Sequence, residues 1–135
     1  QLIHTARKVN DAKPEWVINK VKIAMADFLQ ANPYKTAKDV TIACYGLAFK
    51  PDIDDLRESP ALNITKEIAE MHAGEVIAVE PNISGLPNSI EGLQLASIVK
   101  GFSEGDIHVL LVDHKEFKQG QPKSGVLIDT KGIWK

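Results

Sequence analysis

What this chain does not contain narrows its function before any motif is read. Among 135 residues there is one cysteine, Cys44, which permits neither an internal disulfide nor a multi-thiolate metal site. No apolar run approaches the roughly 18 residues needed to cross a bilayer. Sixteen Lys and Arg stand against eighteen Asp and Glu, a net charge of −2, so no overall field draws the chain to nucleic acid or anionic lipid. Any nucleotide must be held locally. The G-x-G-x-x-G dinucleotide fingerprint is missing after the first predicted strand, where only Gly46 is available. Also missing ahead of Gln1–Val9 are an initiator Met, a basic n-region and a polar lead-in. The chain therefore reads as a fragment of a longer protein, and a reducing, cytoplasmic compartment is expected.

What is present is ordinary for a folded domain. Hydrophobic residues make up 44% and charged residues 25%, which argues against disorder and against collagen-like or coiled-coil repeats. The length suits a single domain.

Leu2, Ile3, Ala6 and Val9 share one helical face. After a break near Lys13, Val17, Val21, Ala24, Met25, Phe28 and Leu29 recur at helical spacing as far as Asn32-Pro33. Their stripe serves either the following domain or a partner. From Asp39 the texture changes. Val40 to Tyr45 reads as a strand buried on both faces, Lys50 to Glu58 as a charged loop, and Ser59-Pro60 as the cap and first residue of a helix running through Ala61, Ile64, Ile68 and Met71 to Gly74. Glu75 to Val79 gives a second strand about thirty residues after the first, the length of one βαβ unit. Weaker patterns suggest a short strand at Leu93–Leu95 and a short helix at Ile98–Ser103. Ile107 to Val112 is a strand, Lys115 to Phe117 a helical turn, and Val126 to Asp129 a last strand. The expected fold is α/β, a small doubly wound, mostly parallel, Rossmann-like sheet over residues 34–135, preceded by a helical N-terminal segment, 1–33.

In such a sheet ligands collect beyond the carboxyl ends of the strands. The richest stretch there is Gly46 to Pro60, in which Lys50 and Arg57 precede a helix whose dipole favours an anion. Lys50 would bring a phosphate a point charge, and Arg57 a planar fork. Asp52, Asp54, Asp55 and Glu58 pull the other way, so residue chemistry alone leaves a phosphate site and a solvated charged loop both open. These acids do not make a calcium loop, because Arg57 stands where that template requires Gly, and no metal is expected. Cys44, mid-strand, reads as an inert buried thiol. Without an evident nucleophile beside it, His114 reads as a capping or surface residue, and Glu80 as a lone acid before Pro81.

Taken together, Gly46-Leu47-Ala48-Phe49-Lys50-Pro51 and Asp54-Asp55-Leu56-Arg57-Glu58-Ser59-Pro60 closely resemble a signature of the nucleotide-sugar 6-dehydrogenases, in their C-terminal UDP-binding domain. The family includes UDP-glucose, GDP-mannose and UDP-N-acetylmannosamine dehydrogenases. The resemblance covers essentially the whole chain: Ala6-Arg7, Val9-Asn10-Asp11 and Lys13-Pro14 resemble the central helix. Glu80-Pro81-Asn82-Ile83, Val112-Asp113-His114 and Lys131-Gly132-Ile133-Trp134 are most similar to the UDP-N-acetylmannosamine branch.

The resemblance implies oxidation of a sugar C6 alcohol to a carboxylate in two NAD-dependent steps, through a thiohemiacetal on a cysteine. That cysteine and the NAD site belong to upstream domains, so no catalytic residue is expected here and the chain alone is expected to be inactive. Phe49 and Lys50 match substrate-binding positions, Arg57 matches an arginine facing the NAD, and Lys131 stands where many relatives place a substrate-contacting arginine. Relatives usually dimerise through the central helix, so the expected partners are the UDP-sugar, the N-terminal and central domains, and a second copy, with neither nucleic acid nor membrane. Two other classes remain. A stand-alone nucleotide-binding Rossmann-like module would lack the helical start, and a phospho-acceptor receiver needs acids where the first strand ends Cys44-Tyr45-Gly46.

Overall fold

Four consecutive apolar residues, Ile42–Tyr45, form strand β1, and all four are buried, as a strand covered on both faces requires. In the computed structural model, which describes residues 14–48, 59–81, 83 and 93–134, helix α1 (Pro14–Ala31) precedes β1. Helix α2 (Pro60–Met71), β2 (Val76–Val79), β3 (Leu93–Ala96), helix α3 (Ile98–Glu104), β4 (Ile107–Leu110) and β5 (Val126–Asp129) follow. Short 3-10 turns cover Ala37–Asp39 and Lys115–Gln119. The strands lie in the order β3-β2-β1-β4-β5, and each neighbouring pair is parallel. This is the doubly wound arrangement expected from the sequence. Its order reverses between β1 and β4, where such folds open their ligand crevice.

Alternation along the strands divides the core. Ile42, Cys44, Val76, Ala78, Ile107 and Val109 face α1 and α2, whereas Ala43, Tyr45, Ile77, Val79 and Leu110 face α3, Phe117 and Trp134. In α1, Val17, Ile18, Val21 and Ala24 are buried in the first of these clusters, with Met25, Phe28 and Leu29 packed against it. The stripe therefore serves this chain's own sheet. Helix α2 begins as its sequence dictates, with Pro60 in the first turn and the Ser59 hydroxyl accepting from the Leu62 amide.

Two expectations are corrected. The predicted strand Ile107–Val112 stops at Leu110, because the Leu111 and Val112 amides both turn to the Tyr45 carbonyl, at 2.9 and 3.3 Å. The helix expected to run to Gly74 ends earlier: α2 stops at Met71, and His72 donates through Nε2 to the Val40 carbonyl at 2.6 Å. A Cβ on Gly74 would lie 2.6 Å from that same oxygen and 2.7 Å from the Ala37 carbonyl, so close passage is what requires glycine there.

The second face centres on Tyr45. Its ring meets Phe117 and Trp134 edge-on, with centroids 5.6 and 5.0 Å away. Its hydroxyl lies 2.8 Å from His108 Nδ1, while His108 Nε2 lies 3.0 Å from the Ser124 carbonyl. A carbonyl only accepts, so Nε2 carries the proton and Nδ1 accepts from the tyrosine. Burial holds the imidazole below the ordinary histidine range.

Because an unfolded chain protonates this ring below about pH 6.5 and the folded chain resists, His108 contributes stability that is full above that pH and is lost as pH falls toward its folded value. Denaturant titrations should show the native chain losing more stability between pH 7.5 and 5 than the His108→Gln variant; parallel losses would contradict the assignment. Gly46 has φ +97, and its Cβ would lie 2.5 Å from that of Val112. Gly46→Ala should therefore cost about 2–4 kcal/mol, read from the denaturation midpoint.

Candidate functional site

The carboxyl edge of the sheet is organised by one acid. Glu80 follows β2 directly and is only 2% exposed. Its Oε1 accepts from the amides of Leu47 and Ala48, at 2.7 and 3.1 Å, and from His114 Nε2 at 2.9 Å. Leu47 and Ala48 follow β1, and His114 follows β4, so one carboxylate oxygen joins the ends of three adjacent strands across the point where the sheet order reverses. Since a carboxylate oxygen accepts, the His114 proton sits on Nε2.

His114 is thus not the surface or capping residue expected from the sequence. It is fully buried, its side chain makes no cap hydrogen bond to the 115–119 turn that it precedes, and its Nε2 meets Glu80, 34 residues away. Glu80 was legible as an acid at a strand end, but its role depends on amides and an imidazole that only the fold brings to it.

These contacts decide what the turn after β1 can hold. Gly46 N donates to the Val79 carbonyl at 2.8 Å, and the next two amides donate to Glu80. In a dinucleotide-binding turn such amides are left for a pyrophosphate. Here they are taken, and Val112 fills the space above Gly46. A dinucleotide pyrophosphate does not fit this turn, in line with the missing glycine fingerprint.

Ser59 adds a second tie. Its hydroxyl, 2% exposed, donates to the Leu47 carbonyl at 2.5 Å while accepting from Leu62. The chain entering segment 49–58 and the chain leaving it are therefore joined by one hydrogen bond. Phe49, Lys50 and Arg57 lie outside the described residues, as do Asp52, Asp54, Asp55 and Glu58.

Lys131 is described, and it lies in an exposed turn after β5. The Asp129 carboxylate organises that turn, accepting from the amides of Lys131, Gly132 and Trp134 at 2.8, 2.7 and 2.7 Å. Gly132 takes the left-handed conformation, φ +75, and Trp134 Nε1 donates to the Phe117 carbonyl at 2.9 Å. The turn is thereby anchored to the aromatic cluster, at the same edge of the sheet as Glu80. Among the described residues no group of three or more His, Cys, Asp or Glu side chains could hold a metal, and no helix is long and apolar enough to cross a membrane.

Fold and site together define a doubly wound α/β domain whose first turn is closed by its own carboxylate. Residues 43–135 match the UDP binding domain of the UDP-glucose/GDP-mannose dehydrogenase family, and the chain belongs to that family. It is 53% identical over 139 aligned positions to a UDP-N-acetyl-D-mannosamine dehydrogenase of Yersinia pestis, matching all of this chain and 33% of the relative. It is 46% identical to an NDP-N-acetyl-D-galactosaminuronic acid dehydrogenase of Ralstonia solanacearum, over 99% of the chain and 30% of the relative. Among solved structures, a UDP-N-acetyl-mannosamine dehydrogenase from S. aureus superposes with a TM-score of 0.66 at 26% identity, over 99% of this chain and 30% of that one. The chain thus spans about a third of the length of the relatives it matches.

Cys44 is the chain's one cysteine. It is fully buried mid-strand, and burial pushes its pKa up to about 12, against a smaller opposing effect of the Thr65 hydroxyl. At neutral pH it is a thiol closed off from solvent, as its position in the sequence suggested. A maleimide or disulfide reagent should label Cys44 at least about a hundredfold faster in denaturant than in buffer; equal rates would refute its burial.

Proposed function

We propose that the chain is the substrate-binding part of an NAD-dependent nucleotide-sugar 6-dehydrogenase that oxidises UDP-N-acetylmannosamine to the corresponding uronate. The observation that carries this reading is identity of 53% to a UDP-N-acetyl-D-mannosamine dehydrogenase along the whole chain. The reaction converts a primary alcohol and water to a carboxylate, with two NAD taking up two hydrides and the remaining hydrogens leaving as protons. In this reading the reacting cysteine and the cofactor site lie in N-terminal and central parts of the enzyme, and two copies pair through the helical segment. The chain alone is inactive.

The chain's own contribution is to hold the UDP moiety. Phe49 lines the nucleotide site, and Lys50 brings a positive point charge to the diphosphate or sugar. Lys131 adds positive charge from the turn after β5 without the bidentate geometry of an arginine. Arg57 faces the cofactor side. The tie between Leu47 and Ser59 supports assigning both roles to one segment, because it holds the two stems of 49–58 together at the sheet edge.

Full-length enzyme with UDP-N-acetylmannosamine should form two NADH per sugar, whereas the isolated chain should form none. Lys50→Ala should raise the KM for UDP-sugar by roughly 10- to 100-fold, and Arg57→Ala should act mainly on the KM for NAD. Equal losses of UDP-sugar affinity would overturn the division of labour, and no turnover of UDP-sugars by the full-length enzyme would overturn the reading itself.

A further inference from the structure

Glu80 and His114 have no part in the chemistry proposed above, yet they are the buried acid and imidazole nearest the turn from which Phe49 and Lys50 depart. Glu80 is 2% exposed and His114 fully buried. A charged group in such a place is retained only with donors supplied to it. Three of its donors converge on Oε1: the Leu47 amide, the Ala48 amide and His114 Nε2.

In a dinucleotide-binding domain of this topology, the amides after the first strand and at the start of the next helix donate to a pyrophosphate. Here Glu80 takes the first set. At the helix start, Pro60 has no amide proton and Leu62 donates to the Ser59 hydroxyl. The carboxylate therefore stands as the resident anion of the turn, and it arrives with the strand next to β1 instead of with a ligand.

We propose that Glu80, oriented by His114, is a positioning residue for the nucleotide-sugar. It fixes Leu47 and Ala48, the two residues from which the chain runs directly into Phe49 and Lys50, and it keeps the β1 turn closed to a competing phosphate. The inference rests on the proposed assignment of substrate binding to that stretch. Glu80 touches neither the reacting carbon nor the cofactor, so its removal should weaken substrate binding with little effect on the chemical step.

The test uses the full-length enzyme and three variants: Glu80→Ala, which removes the acceptor; Glu80→Gln, which keeps one acceptor oxygen at the same reach; and His114→Gln, which keeps a donor but alters its direction. Thermal unfolding is followed beside the kinetics. Glu80→Ala should raise the KM for UDP-N-acetylmannosamine about tenfold or more, with kcat and the KM for NAD held within about twofold. Glu80→Gln should recover part of the loss, and His114→Gln should fall between Glu80→Gln and Glu80→Ala.

A Glu80→Ala enzyme that melts earlier but keeps the wild-type KM for UDP-sugar would show a purely structural role and overturn the proposal. So would a rise confined to the KM for NAD. If Glu80→Ala does not fold, the same KM split in Glu80→Gln and His114→Gln decides, with an unchanged UDP-sugar KM in both overturning it. A wild-type enzyme unable to oxidise UDP-sugars would remove the functional reading and this inference together, whereas an active wild type with indifferent variants removes the positioning role alone.

Discussion

A buried carboxylate needs donors at fixed places, and the carboxyl edge of this domain is arranged around that need. Glu80 arrives at the end of β2 and is met by two consecutive amides from the turn after β1 and by an imidazole from the segment after β4. The donors come from two segments, each more than thirty residues from the acid in sequence. The acid therefore sets where three strand ends stand relative to one another, and loss of any one donor would leave the rest around an undercompensated charge. Charge-assisted bonds of this kind are shorter and stronger than neutral ones, which suits a site whose loops must start from defined positions.

The same backbone pattern serves two purposes in doubly wound folds. Where three glycines follow the first strand, free amides and open space receive a pyrophosphate. Here one glycine remains, its neighbour Val112 occupies the space, and an internal acid uses the amides. Asp129 repeats the device at the far side of the sheet, collecting three amides from the turn that carries Lys131. Both turns are shaped by acids of the chain itself, and Lys131 extends from a frame that is already satisfied.

Much of this architecture was legible in the sequence because its signals are local. Apolar runs marked β1, β2 and β5, the pair Ser59-Pro60 marked the start of α2, and the helical stripe from Val17 to Leu29 marked α1. Errors arose where distant partners decide. His114 looked like a surface residue because nothing near it in sequence calls for burial, and Glu80 looked like a lone acid for the same reason. Gly74 suggested the end of α2, but the helix stops at Met71, and two carbonyls from the Ala37–Val40 stretch are what exclude a side chain at Gly74. β4 ended two residues early because the Tyr45 carbonyl captures the amides that would have extended it. For Phe49, Lys50 and Arg57, residue chemistry left a phosphate site and a charged loop both open, and only the family signature gave them separate roles.

The strand order carries a consequence for how the chain is made. β1 is central, and its two neighbours are not synthesised together: β2 follows α2, but β4 lies far downstream, with Thr41 and Asp106 meeting across 65 residues. On a ribosome, one edge of Ile42–Tyr45 stays unpaired until residues 107–110 emerge, an apolar edge with open amides and carbonyls. Closure of the β1–β4 seam is then the late, non-local event of folding. It is also the event that delivers His114 to Glu80, so the arrangement around that acid is completed only once β4 has joined the sheet.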